Sequence, residues 1–406
     1  MQTQLAEKFA HRPQAQEASR LLRACVHCGF CAPTCPTYQI FGDELDGPRG
    51  RIYLIKQMLE GERPTARTQL HLDRCLTCRA CESACPSGVQ YGRLVDIGRE
   101  VLAEQRPRTP LQRLMRTTLA ALLTGALFRP AVTVGRWLRP VLPQRLRAPL
   151  MRYRAAGRWP SGGQPRHVLL LEGCVQPALA PNINSATARV LDALGIAVQR
   201  VGRAGCCGAI HHHLGETQDA LEDARRNIDA WWPHIETGVE AIVSNASGCG
   251  TMLRDYGALL RDDPSYAAKA ARVSGLACDI AQLVAPVAAT LGSRLRAIAG
   301  QRVVFHPPCS LQHGLRLNGV VEAMLGGFGA VVLPFAEPAL CCGSAGTYSL
   351  LNPEISQALR DRKIGALTAP APERILSANI GCIGQLAGAT DLPVQHWVEW
   401  LDEHLA

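Results

Sequence analysis

Two runs of cysteine constrain this chain more than anything else in it: Cys25, Cys28, Cys31 and Cys35 before Pro36, then Cys75, Cys78, Cys81 and Cys85 before Pro86. Each run reads C-x2-C-x2-C-x3-C-P, a spacing that holds [4Fe–4S] cubes, with three thiolates of one run and the distant fourth of the other on each cube. The close steps have a reason: a loop coiling around a cube must bring three sulfurs to three corners. The expected ligand sets are Cys25, Cys28, Cys31 and Cys85, and Cys75, Cys78, Cys81 and Cys35. Two cubes held this close together form an electron relay. Zinc, the competing reading of C-x2-C, needs two pairs or a pair plus histidines and leaves the third and fourth cysteines of a run without use. A disulfide framework fits less well, because 406 residues bury ordinary cores without staples and Met1 to Gln14 has no apolar signal region. Seventeen cysteines then point to metal in a reducing, cytoplasmic compartment.

The insert between the runs carries Gly47-Pro48-Arg49-Gly50-Arg51, followed by Ile52, Leu54, Ile55, Met58 and Leu59 at helical spacing, and Leu70-His71-Leu72 leads into the second run. An all-helical two-cluster ferredoxin-like domain over residues 1–105 is the expectation.

A repeat organises the rest. Cys174 precedes Cys206-Cys207-Gly208 by 31 intervening residues, and Cys309 precedes Cys341-Cys342-Gly343 by 31. Ser247-Gly248-Cys249 answers Ile380-Gly381-Cys382, and the tail Cys278-Asp279-Ile280-Ala281-Gln282-Leu283 is aligned with His396-Trp397-Val398-Glu399-Trp400-Leu401. Strand and helix alternate: strand Val168–Leu171, helix near Asn184–Leu194, strand near Val198–Val201, helix near Thr217–Trp232, strand Ala241–Val243, and a second copy opening on strand Val303–Phe305. The alternation predicts α/β modules, residues 164–296 and 297–406, each an open parallel sheet covered on both faces. The lone cysteines fall past strand carboxyl ends, where such sheets bind ligands, and facing copies would share that interface. Cys174, Cys206, Cys207, Cys249, Cys309, Cys341, Cys342 and Cys382 are therefore candidates for a further metal or redox centre, against the alternative of buried structural thiols. Cys278, unmatched in the second copy, is expected to pack in a core.

Taken together, Arg23 to Cys31, Gly42 to Tyr53, Cys341-Cys342-Gly343-Ser344-Ala345-Gly346-Thr347-Tyr348 and Asn379-Ile380-Gly381-Cys382 resemble the iron–sulfur subunits of glycolate oxidases, within the larger group of proteins with paired CCG modules. Related subunits serve anaerobic glycerol-3-phosphate dehydrogenase, lactate utilisation and heterodisulfide reductase. One departure stands out. The fuller CCG pattern closes each module with C-x2-C, whereas Met252 follows Cys249 and Gln385 follows Cys382, which argues against the double clusters of heterodisulfide reductases. The resemblance implies a division of labour in which a separate FAD-binding subunit oxidises glycolate to glyoxylate. This chain then passes the electrons toward a quinone-type acceptor and is not catalytic alone. The alternatives are a self-sufficient CCG-type reductase, or the equivalent subunit of a glycerol-3-phosphate or lactate dehydrogenase. No Walker loop and no G-x-G-x-x-G after a strand occurs here, so flavin is expected on the partner.

The segment 106–163 reads as a basic linker. Between Arg106 and Arg158 lie twelve arginines and no acidic residue, which exceeds the whole formal charge of +9. Apolar patches, Leu119–Leu123, Leu127-Phe128, Val132, Val134, Trp137, Leu138, Val141 and Leu142, are broken by Pro130, Pro140, Pro143 and Pro149. None reaches the roughly 18 apolar residues of a bilayer span. Such a segment suits peripheral contact with the cytoplasmic face of the inner membrane through Arg136, Arg139, Arg145 and Arg147, or a subunit-docking arm; a merely solvated linker is the plain alternative. Nucleic acid is not expected, since no stacking platform or motif accompanies the charge. His211-His212-His213 is placed on a loop beside Cys206 and Cys207, where it could support a metal centre or handle protons.

Overall fold

The amino-terminal cysteines lie between helices. In the computed structural model, which describes residues 1–139, 141 and 153–406, the chain clusters into two units: Met1–Thr117 with Ala339–Leu359, and Thr118–Pro338 with Arg360–Ala406. In the first unit, helices Pro13–Ala24, Pro36–Phe41, Pro48–Leu59, Ala66–Asp73 and Tyr91–Gln105 carry the chain, and no strand occurs among its described residues. Three of these helices start on proline, whose fixed φ and missing N–H cost nothing in a first turn. Pro36 thus opens a helix that Cys35 precedes. The periodic residues Ile52, Leu54, Ile55, Met58 and Leu59 are all buried, joining Leu22, Leu72, Leu94 and Val95 in the core.

The second unit holds two parallel four-stranded sheets. Strands β1 (Arg166–Leu171), β2 (Ile196–Arg200), β3 (Ala241–Ser244) and β4 (Ala277–Asp279) are ordered β2-β1-β3-β4; β5 (Arg302–His306), β6 (Val331–Val332), β7 (Arg374–Ser377) and β8 (Val394–His396) are ordered β6-β5-β7-β8. Alternate residues of β1 face opposite ways: Val168 and Leu170 join a core shared by both modules, Leu169 and Leu171 a core under helix Thr217–Glu236. Sheets buried on both faces read as continuous apolar runs, and β1, β3 and β5 are such runs; β4, β6 and β8, two or three residues long, carry no such signal. The modules meet at their strand ends, where Ser247 N–H donates to the Ala378 carbonyl at 3.1 Å and Gly248 N–H to Asn379 Oδ1 at 3.2 Å.

Several sequence expectations need correction. The second strand begins at Ile196, two residues before Val198, and the three histidines sit on a short helix, Ala209–Leu214, not a loop. The tail alignment is one residue out. Ser244 pairs with Asp279 and Ser377 with His396, and each of Asp279 and His396 caps the helix that follows, so Asp279 and His396 are the equivalent residues. Partly buried Cys278 packs against the shared core.

In the linker, helices Pro110–Thr124 and Phe128–Trp137 meet at 84°; no single helix is long and apolar enough to cross a membrane, although the bent pair passes that test together. Some linker arginines have structural partners: Arg108 grips Asp73 with both terminal nitrogens, at 2.8 and 2.6 Å, and Arg136 donates to the Leu179 carbonyl at 2.7 Å while lying over the Tyr153 ring. Pro140, Leu142, Pro143, Arg145, Arg147 and Pro149 of the basic segment lie outside the described residues.

Candidate metal centres

The two ferredoxin-spaced loops have the same unusual backbone. His27 and Thr77, each one residue before the second cysteine, have φ of 56° and 53°, and Gly29 and Arg79, each one residue after it, have φ of 86° and 60°. Left-handed residues either side of a cysteine bend the loop into a cup, the kind of concave backbone that suits anionic ligands. A non-glycine residue persists there, at about 1–3 kcal/mol each, only when its surroundings demand it.

These cups gather the cysteines in two sets. Cys31 lies within electrostatic reach of Cys25, Cys28 and Cys85, and Cys81 within reach of Cys78, Cys75 and Cys35. Burial, foremost, and the neighbouring sulfurs push the Cys31 and Cys81 thiols upward, as expected of ligands that shed their protons only to metal. Beside the second set opens a cavity lined by Cys35, Cys75, Cys78, Cys81, Arg51 and Tyr91. Four sulfurs bordering one cavity suit a multi-iron group.

The surroundings of the sets differ. Cys28 is exposed, flanked by Val26 and Phe30 at 67% and 64% exposure, and Val89 N–H donates to Cys85 Sγ at 3.5 Å. In the second set, Cys35, Cys75 and Cys81 are buried. Cys75 Sγ accepts from Thr77 N–H at 3.4 Å and Tyr91 Oη at 3.7 Å, and Cys35 Sγ lies 3.3 Å from Thr37 Oγ1 and 3.8 Å from Arg51 Nη1. The Gly-Pro-Arg-Gly-Arg stretch delivers that arginine. Gly47 precedes the helix, Pro48 starts it, and a Cβ on Gly50 would overlap the Glu44 carbonyl oxygen, so only glycine lets the helix come this near.

The first CCG module gathers a third set of cysteines. Cys174 and Cys207 both hydrogen-bond Cys206, and Cys207 also meets Cys249. Those thiol donors, Cys174 foremost, hold Cys206 well below the usual thiol range against its burial, helped by Gly208 N–H at 3.4 Å. Cys174 and Cys249 follow β1 and β3, the neighbouring strands at which this sheet's order reverses and where open α/β sheets bind ligands. The pair Cys206-Cys207 is fixed by residues that sequence reading passed over: Asn227 donates to the Cys206 carbonyl at 2.7 Å and Tyr256 to the Cys207 carbonyl at 2.9 Å. Among the histidines, His211 Nδ1 is 2.7 Å from Asp223, which also takes Arg226 at 2.6 Å. The glycine of CCG has a steric cause in both copies. Gly208 and Gly343 have φ of 88° and 82°, and a Cβ would meet the Ala220 carbonyl oxygen at 2.9 Å in one and overlap that of Ser356 in the other.

In the second module, Cys309 and Cys382 follow β5 and β7. Cys341 and Cys342 lie on Ala339–Leu359, the segment that clusters with the amino-terminal helices. There Tyr348 Oη donates to the Arg74 carbonyl at 2.9 Å, and burial, then Cys75 and, more weakly, Cys341 push its phenol upward.

Comparison with known proteins agrees with this layout. A 4Fe-4S dicluster domain model matches residues 21–89, and a cysteine-rich domain model matches twice, at 168–254 and 303–387. The glycolate oxidase iron-sulfur subunit of Escherichia coli (strain K12) is 51% identical over 100% of this chain and 99% of its own length. This chain belongs to the glycolate oxidase iron–sulfur subunit family. A probable member from Bacillus subtilis (strain 168) is 30% identical over 94% of this chain and 91% of its own, and lactate utilization protein A of an Exiguobacterium strain is 25% identical over 58% and 97%. Membership makes the amino-terminal helices an iron–sulfur electron-transfer module.

Proposed function

We propose that the chain is the electron-relay subunit of a flavin-dependent glycolate oxidase, its all-helical two-cluster ferredoxin-like domain carrying electrons from a partner FAD subunit toward a quinone-type acceptor. The observation that carries this reading is the sorting of eight cysteines into two four-sulfur sets, each drawing one member from the other run. Cys25, Cys28, Cys31 and Cys85 hold one [4Fe–4S] cluster, and Cys75, Cys78, Cys81 and Cys35 the other. Such clusters take up and release single electrons, splitting the two-electron output of glycolate oxidation to glyoxylate into one-electron steps. The chain's own residues hold, insulate and orient. Left-handed His27 and Thr77 shape the cups, Tyr91 and Arg51 close the second set from water, and exposed Cys28 between Val26 and Phe30 offers the partner a short path in. Cys174, Cys206, Cys207 and Cys249 form a further thiolate site suited to metal.

The chain alone is expected to show no glycolate:dye activity, because it has no hydride acceptor; adding the flavoprotein should restore turnover. Robust turnover by the isolated chain would identify a self-sufficient reductase instead. The linker is read as a peripheral contact on the cytoplasmic face of the inner membrane, supported by Leu111, Leu114 and Trp137, exposed by 75%, 64% and 82%, among basic residues. Trp137→Ser with Leu114→Ser should weaken cosedimentation of the complex with anionic vesicles severalfold at unchanged iron content; unchanged cosedimentation would leave it a plain linker.

A further inference from the structure

Arg51 stands out among the charged residues of the first unit, because its guanidinium is 1% exposed and faces sulfur. Its orientation is locked: Nε donates to the His71 carbonyl at 2.7 Å, Nη2 to Thr37 Oγ1 at 2.9 Å, and Nη1 points at Cys35 Sγ, 3.8 Å away. Its counter-ion is shared. Buried Asp46 lies 3.5 Å from Arg51 but 2.7 Å from Arg74, and also takes His71 Nδ1 at 3.0 Å. Two guanidinium groups against one carboxylate leave a net positive charge beside the second cysteine set, in surroundings where water screens little. Arg79 and Glu82, of opposite sign, also border that set. The first set has a weaker counterpart: Arg49, half-exposed and paired with Glu44 at 2.8 Å.

We infer that Arg51 is a positioning residue for electron flow, its buried charge making the Cys35, Cys75, Cys78 and Cys81 cluster the higher-potential member of the pair. A reduced cluster carries one more negative charge than an oxidised one, so a fixed cation at van der Waals distance from a ligand sulfur favours the reduced form, as do the hydrogen bonds to the same sulfurs. One electron leaves the first cluster, which is oxidised by one, and enters the second, which is reduced by one; no bond or proton moves. The reductant is the partner's reduced flavin. Electrons therefore come to rest at the buried set, in the unit that also holds Tyr348 and the CCG pair Cys341-Cys342.

This inference rests on the two-cluster reading, and the test separates them. The full chain, purified without oxygen, is titrated with dithionite and followed by EPR; the signal surviving Cys85→Ser marks the second cluster. Arg51→Met should make reduction of that cluster at least tenfold less favourable, a fall of about 59 mV for a one-electron couple, and leave the first cluster in place. Arg51→Lys should restore most of the shift. Asp46→Asn, which removes the opposing charge, should raise the same potential, and it decides the matter if Arg51→Met loses the cluster. Full iron content with an unmoved second potential in Arg51→Met, equal shifts in the Met and Lys variants, or no rise in Asp46→Asn would overturn the inference. Absence of iron from the unmodified chain would instead overturn the two-cluster reading beneath it.

Discussion

The two cysteine sets of the amino-terminal unit share spacing and backbone but not surroundings. Both loops turn left-handed on either side of their second cysteine, yet one set reaches the surface at Cys28 while the other is enclosed by Arg51, Tyr91 and Thr37. The repeated motif thus sets how sulfur is presented, and residues from outside it set what each site does. Arg51 comes from the helix between the runs and Tyr91 from the helix after them.

The largest effect that could break this comparison is on iron. Cys85→Ser should lower anaerobic iron content from about eight to about four per chain, taking the cluster of the first run although the substitution lies in the second. Loss of the second cluster alone would show that each run holds its own cube. Zinc without iron would end the comparison altogether.

A smaller effect tests how the Arg51 helix is seated. Gly50→Ala places a methyl group against the backbone of Glu44 and Leu45, which cannot yield as a side chain can. We expect a loss of about 1–3 kcal/mol, read as a lower melting temperature, with the second cluster's EPR signal disturbed more than the first. Equal disturbance of both signals would mean that the helix supports the two sites alike.

Matched frames with unlike occupants recur in the α/β modules, where the contrast is one of pH. Asp279 and His396 occupy the same position, each accepting an N–H of the following helix. Burial raises Asp279 to about 7, partly opposed by the Ala281 N–H and Arg254, and lowers His396 to about 3, partly opposed by its bond to Asn245. Asp279, raised above its unfolded value of roughly 4, contributes stability below that value and loses it as pH rises toward 7, at about 1.4 kcal/mol per unit. His396, depressed from roughly 6.5, contributes above that value and loses stability as pH falls toward 3. Asp279→Asn should remove the loss of stability of the second unit as pH rises from about 4 toward 7, and His396→Asn the loss as pH falls from about 6.5 toward 3. Identical profiles for the two variants would show that neither group titrates on unfolding.

Much of this was legible in sequence because it is local. C-x2-C-x2-C-x3-C-P is a short-range instruction, since a loop of eleven residues, Cys25 to Cys35, either wraps a cube or does not. Equally local are the apolar runs of β1, β3 and β5 and the helical periodicity of Ile52 to Leu59, which fixed element types if not their ends. The doubled CCG showed the repeat. Other features were illegible because they depend on residues distant in the chain. Nothing near Gly343 announces Ser356 above it, nothing in Cys206-Cys207 announces Asn227 and Tyr256 beneath, and the one-residue slip between the module tails surfaced only when strand register paired Ser377 with His396. Sequence by itself determined the thiolates, their grouping into runs and the repeated α/β plan, because spacing along a chain limits what a loop can reach. Tertiary structure alone decided that Arg51 should stand buried beside Cys35 with its counter-ion shared by Arg74. Burial, and with it the strength of a charge, is a property of what the rest of the chain packs around it.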